Sequence, residues 1–140
     1  MAIVQGQTTS FKLQLYEAVH NFTTNTFKMA LYTGNASINQ ATTVYSAANE
    51  VVGTGYTAGG LILTGVTINT DPSTSTVYIN FNNAVWNPAT FTARCALIYN
   101  TSASNASVAV IDFGADKSCS NTFTVTMPAN TSTTALIRSV

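Results

Sequence analysis

Charge is what this chain has least of. Its 140 residues carry five basic and five acidic side chains, 7% in all, against roughly 25% in an ordinary soluble domain. The ten are Lys12, Glu17, Lys28, Glu50, Asp71, Arg94, Asp112, Asp116, Lys117 and Arg138, and they are scattered. No run of them can neutralise successive phosphates, so a nucleic-acid partner is excluded. Histidine occurs once and cysteine twice, which leaves little with which to move protons or bind zinc. No apolar run reaches the roughly 18 residues of a membrane span, and stretches such as Ala106 to Phe113 are strand-sized. The opening Met1-Ala2-Ile3-Val4-Gln5-Gly6-Gln7 has neither the basic nor the apolar region of a secretory signal, so synthesis in a cytoplasm is expected.

In place of charge stand 24 Thr, 14 Asn and 12 Ser, set between apolar runs that alternate with a period of two. Strands are predicted at 27–32, 50–52, 61–69, 76–82, 91–99, 107–113, 122–127 and 135–138, each rich in Val, Ile, Thr or aromatics. Turn signals separate them, among them Thr33-Gly34-Asn35, Asp71-Pro72-Ser73 and Pro128-Ala129-Asn130. The expected fold is mainly β, an antiparallel sandwich or barrel of about seven to eight strands. Residues 1–140 read as a single domain, since no linker or repeat divides them.

One helix is predicted, over 10–22, where Phe11, Leu15, Ala18, Val19 and Phe22 form an apolar stripe capped by Thr9 or Ser10 and stopped near Asn21. Residues 1–9 join no element in this reading and form a candidate extended arm. The strands are of two kinds. Thr76–Asn82 and Asn121–Met127 are two-faced, whereas Leu61–Leu63, Cys95–Ile98 and Val108–Phe113 are apolar on both faces and need a second cover. That cover is the helix, a neighbouring subunit, or both.

The search for chemistry yields structural readings throughout. His20, at the end of the predicted helix, is expected to cap carbonyls rather than serve as a base, since no nucleophile signature accompanies it. Cys95, in an apolar run, reads as a buried free thiol, and a Cys95–Cys119 bridge is disfavoured by cytosolic folding. Asp112 and Asp116 flank a turn but are too few for calcium. The Gly53–Gly60 run lacks the Lys of a phosphate loop and a following helix, so its glycines are expected to serve positive φ and close chain crossing. No catalytic, cofactor or metal residue is expected, and no cofactor. The five Asn-x-Ser/Thr triplets, at Asn21, Asn35, Asn100, Asn105 and Asn130, follow from composition. A sugar-binding platform built from Trp86 and the tyrosines, Tyr56 above all, is the alternative to protein adhesion.

Several segments resemble a family of small virion proteins of tailed bacteriophages: His20-Asn21-Phe22, Phe27–Thr33, Tyr45 through Gly60, Ala96–Asn100, Val108–Gly114 and Ala135–Arg138. The run Asn49-Glu50-Val51-x-Gly53-x-Gly55-Tyr56-Thr57-Ala58-Gly59-Gly60 is the most specific of them. The resemblance implies an uncatalytic virion component. The expected role is capsid cement or decoration, with the major capsid protein and further copies of itself as partners and the virion as its location. A tail or host-recognition protein is the alternative, in contact with tail proteins.

Overall fold

The computed structural model describes residues 3–140. It is mainly β with one short N-terminal helix, as the alternating pattern predicts. In chain order the elements are β1 (Gly6–Gln7), α1 (Thr9–Tyr16), β2 (Phe27–Tyr32), β3 (Leu61–Ile62), β4 (Thr67–Asp71), β5 (Thr76–Asn80), β6 (Ala84–Trp86), β7 (Phe91–Asn100), β8 (Ala106–Cys119), β9 (Phe123–Val125) and β10 (Ile137–Ser139). A 3₁₀ turn at Thr101–Ala103 joins β7 to β8. All pairing is antiparallel.

One layer is a five-stranded sheet in the order β1-β8-β7-β2-β3; β10-β5-β4 and β6-β9 form two smaller sheets. Register sets which side chains enter the interior. Met29 lies opposite Ile98 and Leu31 opposite Ala96, so these four share a face, while Ala30 opposite Leu97 and Tyr32 opposite Cys95 share the other. The first face meets Ile79, Phe81, Trp86, Phe123, Val125 and Ile137 of the smaller sheets in the main core. Its aromatic rings interlock: Phe22 stacks on Phe27 at 4.4 Å, and Phe91 lies 5.1 Å from Phe123.

The second face is closed by neither the helix nor, within the chain, a sheet. The irregular segment 33–49 folds over it, placing Ala36 and Ile38 against Ala30, Tyr32, Cys95, Leu97, Tyr99 and Val110, with Tyr45 and Ile3 at the margin. Segment 33–49 has few apolar residues and no period, so the pattern gave no reason to expect a cover from it. Around Leu61–Leu63 the second cover is missing: Leu63 is buried, but Ile62 is exposed.

The helix is shorter than predicted. Thr8, not Thr9 or Ser10, caps it, its hydroxyl accepting from the Phe11 amide at 3.2 Å. It ends at Tyr16 because Glu17 leaves helical geometry and Ala18 turns left-handed at φ 60°. Of the expected stripe only Phe11 is buried from within the helix; Phe22 reaches the core from the following loop, and Leu15 and Val19 stay exposed. The candidate arm is also tied down where it is described. Gly6 and Gln7 pair with Val110 and Ala109, and the buried Thr8 hydroxyl meets Ser107 Oγ at 2.9 Å. Met1 and Ala2 lie outside the described residues.

Predicted strands 50–52 and 61–69 are reduced, the former to a single bridge from Glu50 to Tyr32 and the latter to β3 and β4. β6 falls between predicted strands 76–82 and 91–99, where none was expected. Two-facedness holds for 121–127, where Phe123, Val125 and Met127 are buried between exposed threonines. It fails for 76–82: Thr76 and Asn80 are buried, and Asn80 Nδ2 donates to the Pro128 carbonyl at 2.7 Å, because segment 128–134 crosses the side expected to face water. β8 runs well past its predicted end at Phe113 and carries a wide bulge: Cys95 pairs with Asp112 and Ala93 with Lys117, so two steps along β7 match five along β8. Gly114 sits in the bulge at φ 82°, with open space where a side chain would be.

Candidate functional site

The chemistry-bearing side chains are dispersed, and each is engaged in a structural contact. His20 is buried between Phe11 and Phe27. It caps no carbonyl, because the helix has ended four residues earlier. Its Nδ1 faces the Asn100 amide nitrogen at 3.1 Å and so accepts, and Nε2–H donates to Gln14 Oε1 at 2.8 Å. The ring thereby ties the helix to the end of β7 as the neutral imidazole, and burial lowers its pKa. Asn100 is wholly buried and also donates to Asn25, so the triplet that begins there is internal.

Both cysteines are free. Cys95 is buried, and burial pushes its thiol up to about 12, well clear of nucleophilic use at neutral pH. Cys119 ends β8, half-buried with its sulfur toward the Phe91 carbonyl at 3.6 Å. Asp112 pairs with Arg94 at 3.3 Å, the one ion pair among the described residues, and accepts from the Gly114 amide. Among the described residues no three His, Cys, Asp or Glu side chains come together as metal ligands.

The segment from Tyr45 to Gly60 forms a latch around one carboxylate. Glu50 is buried, and it accepts from Tyr45 Oη at 2.6 Å, from the Gly59 amide at 2.7 Å and from Tyr56 Oη. Tyr56 Oη in turn accepts from the Leu31 amide at 2.9 Å, and Tyr99 Oη donates to the Gly59 carbonyl at 2.6 Å. Tyr45 stacks on Tyr99 at 4.7 Å. Burial first, and then the neighbouring carboxylate, raises the pKa of all three phenols; that of Tyr99 reaches about 12. They therefore remain donors at any physiological pH. The glycines work as expected. Gly60, at φ 80°, lies so close to β2 that a side chain there would collide with the Met29 carbonyl, and Gly55, at φ 85°, has the same relation to Pro88. The run holds chain crossings together.

The aromatic residues do not form a platform. Trp86 is buried, Tyr56 lies between it and Phe91, and Tyr32 and Tyr99 are internal. Tyr16 alone projects fully into solvent. A glycan site built on Trp86 and Tyr56 is therefore not available.

What remains open is surface. Beyond the bulge β8 rejoins β7 at Lys117–Cys119, and it presents five successive exposed residues, Gly114 to Ser118. Beside it two adjoining grooves of about 390 and 480 Å³ share Ile111, Val125 and Thr126. Phe113, Met127 and Leu136 give them apolar floors, threonines give them rims, and Lys117 is their one charged residue. Such a surface offers shape, apolar area and hydroxyl hydrogen bonds, the ingredients of a protein contact. The long tail of β8 and the mixed Thr/Val pattern after residue 119 are the sequence signals for it, but the bulge that lifts β8 outward left no mark except Gly114.

Among the described residues no helix is long and apolar enough to cross a membrane. Comparison of the chain with family models, with curated proteins and with solved structures finds no match.

Proposed function

We propose that the chain is a structural component of a tailed-bacteriophage virion, a capsid cement or decoration protein that binds where major capsid subunits meet and associates with further copies of itself. The observation that carries this reading is the hydroxyl-rimmed groove beside the exposed half of β8, in which Lys117 is the one charged residue. A lattice can hold such a part by many modest contacts, because each copy adds its own to the total. Zero formal charge removes the long-range repulsion between copies that crowding on a shell would otherwise meet. The phage resemblance, strongest in the Glu50–Gly60 run, supports the same conclusion. So does the structural employment of Glu50, His20 and Cys95, the groups that an enzyme would most readily recruit.

The test is to co-express the chain with the capsid and tail genes that neighbour its own, purify the particles and image them by cryo-electron microscopy. The expected result is ordered density for the chain on the matured head and none on the precursor shell. Density on the tail would move the protein within the virion and end the cement reading. Absence from every purified particle would end the virion reading altogether.

A further inference from the structure

The exposed face of α1 is a short, self-complementary seam, and we propose that it is where two copies of this chain meet, their helices side by side and parallel. This rests on the reading of the chain as an assembly component and names the surface by which it would self-associate.

A helix whose apolar side chains point away from the core needs a reason. Here Phe11 alone faces inward, while Leu13 is 59% and Tyr16 93% exposed. At 100° per residue, Leu13 and Tyr16 lie about 60° apart on the outer face, the spacing of the a and d positions of a coiled coil. Lys12 and Glu17, the residue that caps the helix at its C-terminal end, fall on opposite flanks of that strip, about 140° apart when the helical screw is carried one residue past Tyr16, and both are exposed. They therefore occupy the g and e positions around Leu13 and Tyr16.

That placement selects both occupant and orientation. When two such helices pack in parallel about an axis along their length, the left flank of each faces the right flank of the other. Lys12 then meets Glu17 of the second copy, and Glu17 meets its Lys12, the g-to-e pairing of parallel coiled coils. In the antiparallel arrangement Lys12 would face Lys12 and the pairing would be repulsive. A second cation strengthens the match: Arg138, at the end of β10, lines a crevice together with Lys12 and Tyr16, on the flank that the partner's Glu17 approaches. In a chain with ten charges, the arrangement of three of them around one exposed apolar strip is a specific feature, and it fits a copy of itself.

A single heptad contributes little alone, so the association is expected to be weak in dilute solution and strengthened when copies are held on a common surface. The experiment is sedimentation equilibrium of the purified full chain at low salt, from micromolar to millimolar concentration, for wild type, Leu13→Asp, Lys12→Glu, Glu17→Lys and the Lys12→Glu/Glu17→Lys double variant. These positions are exposed, and far-ultraviolet circular dichroism verifies that each variant is folded. Leu13→Asp is expected to weaken association at least ~30-fold, as loss of a central anchor does. Each single charge reversal is expected to weaken it about five-fold, and the double reversal to restore it, which loss of an unrelated contact would not do.

A wild-type chain that is monomeric at millimolar concentration overturns the seam, as does an oligomer indifferent to all four variants. A monomeric chain whose Leu13→Asp variant no longer enters particles also overturns it, and assigns the face to a capsid subunit instead. The virion reading fails separately, by absence from particles. A seam-dependent dimer that never appears in virions would sink that reading and leave the seam standing.

Discussion

On one face of the five-stranded sheet, its own Phe27 and Phe91 meet Trp86 of β6, Phe123 of β9 and the loop residues Phe22 and Phe81, ring against ring. On the other face, a stretch of coil with two small plugs, Ala36 and Ile38, lies across Leu97 and Val110 and is fastened at its margins by polar groups. Tyr32 Oη donates to the Ser46 carbonyl at 2.7 Å, Ser107 Oγ to the Thr42 carbonyl at 2.7 Å, and the Glu50 latch closes the end nearest β2. The first face is held by a large aromatic cluster removed from water, the second by a smaller apolar cluster whose coil cover is fastened by hydrogen bonds. The two should respond oppositely to the same kinds of substitution, and that contrast can be tested.

The largest effect is expected on the aromatic face. Phe27→Ala removes a ring stacked on Phe22 and is expected to cost about 3–5 kcal/mol in urea unfolding. A loss under about 1 kcal/mol would mean that this side is not held by packing. Next comes Glu50→Gln, which replaces a triply bonded buried carboxylate by an amide whose nitrogen meets donors. About 2–3 kcal/mol is expected, together with faster amide exchange in segment 33–60 than elsewhere. Uniform exchange across the molecule would erase the distinction between the faces. Ile38→Ala, beneath the coil cover, should cost about 2 kcal/mol, at the low end for an aliphatic truncation, because irregular chain collapses into a void more readily than paired sheets do. Thermal denaturation would show whether it instead matches Phe27→Ala.

The smallest effect concerns His20, which belongs to the aromatic face but is fastened by polar contacts. Its folded pKa lies below the ordinary 6.5, so the unfolded chain binds the proton first. Stability from this group is complete above pH 6.5 and declines as the pH falls from there through the lowered folded value. Protonation turns Nδ1 into a donor facing the Asn100 amide. Melting temperature should therefore drop between pH 7.5 and pH 5, and the drop should shrink in His20→Gln. An equal drop in that variant would place the effect elsewhere.

The same contrast governs what could be read in the sequence. Alternation together with β-branched and aromatic composition located β2, β5, β7 and β9 closely, but it told the buried face from the exposed one only in β9, since β2 and β7 are covered on both sides and β5 buries Thr76 and Asn80. The helix start was nearly right, and its end was not, because Ala18 takes a left-handed conformation that no residue type there announces. The coil cover could not be read at all: its plugs are two residues among Ser, Thr and Asn, and its fastening depends on carbonyls, which every residue has. Glu50 carried a legible signal, a lone acid between Tyr45 and Tyr56 in an uncharged stretch. Its meaning became clear only when both phenols were seen to converge on it. The groove and the helix seam lie between these extremes. Exposure of Leu13 and Tyr16 agrees with a stripe that faces inward at Phe11, since both lie on the opposite side of the helix, but the flanking of that strip by Lys12, Glu17 and Arg138 is visible only once α1 is placed against β8 and beside β10.

The widened step around Gly114 has a bearing on solubility. A flat strand edge with no partner invites another strand, and growth into fibres along that edge is the hazard. Five residues of β8 set against two steps of β7 break the regular spacing of free amides and carbonyls that an added strand would have to match. The kink thus leaves the outer half of β8 available for side-chain contacts while denying it to endless backbone pairing, and straightening it by deleting residues 114–116 is the change expected to promote aggregation most.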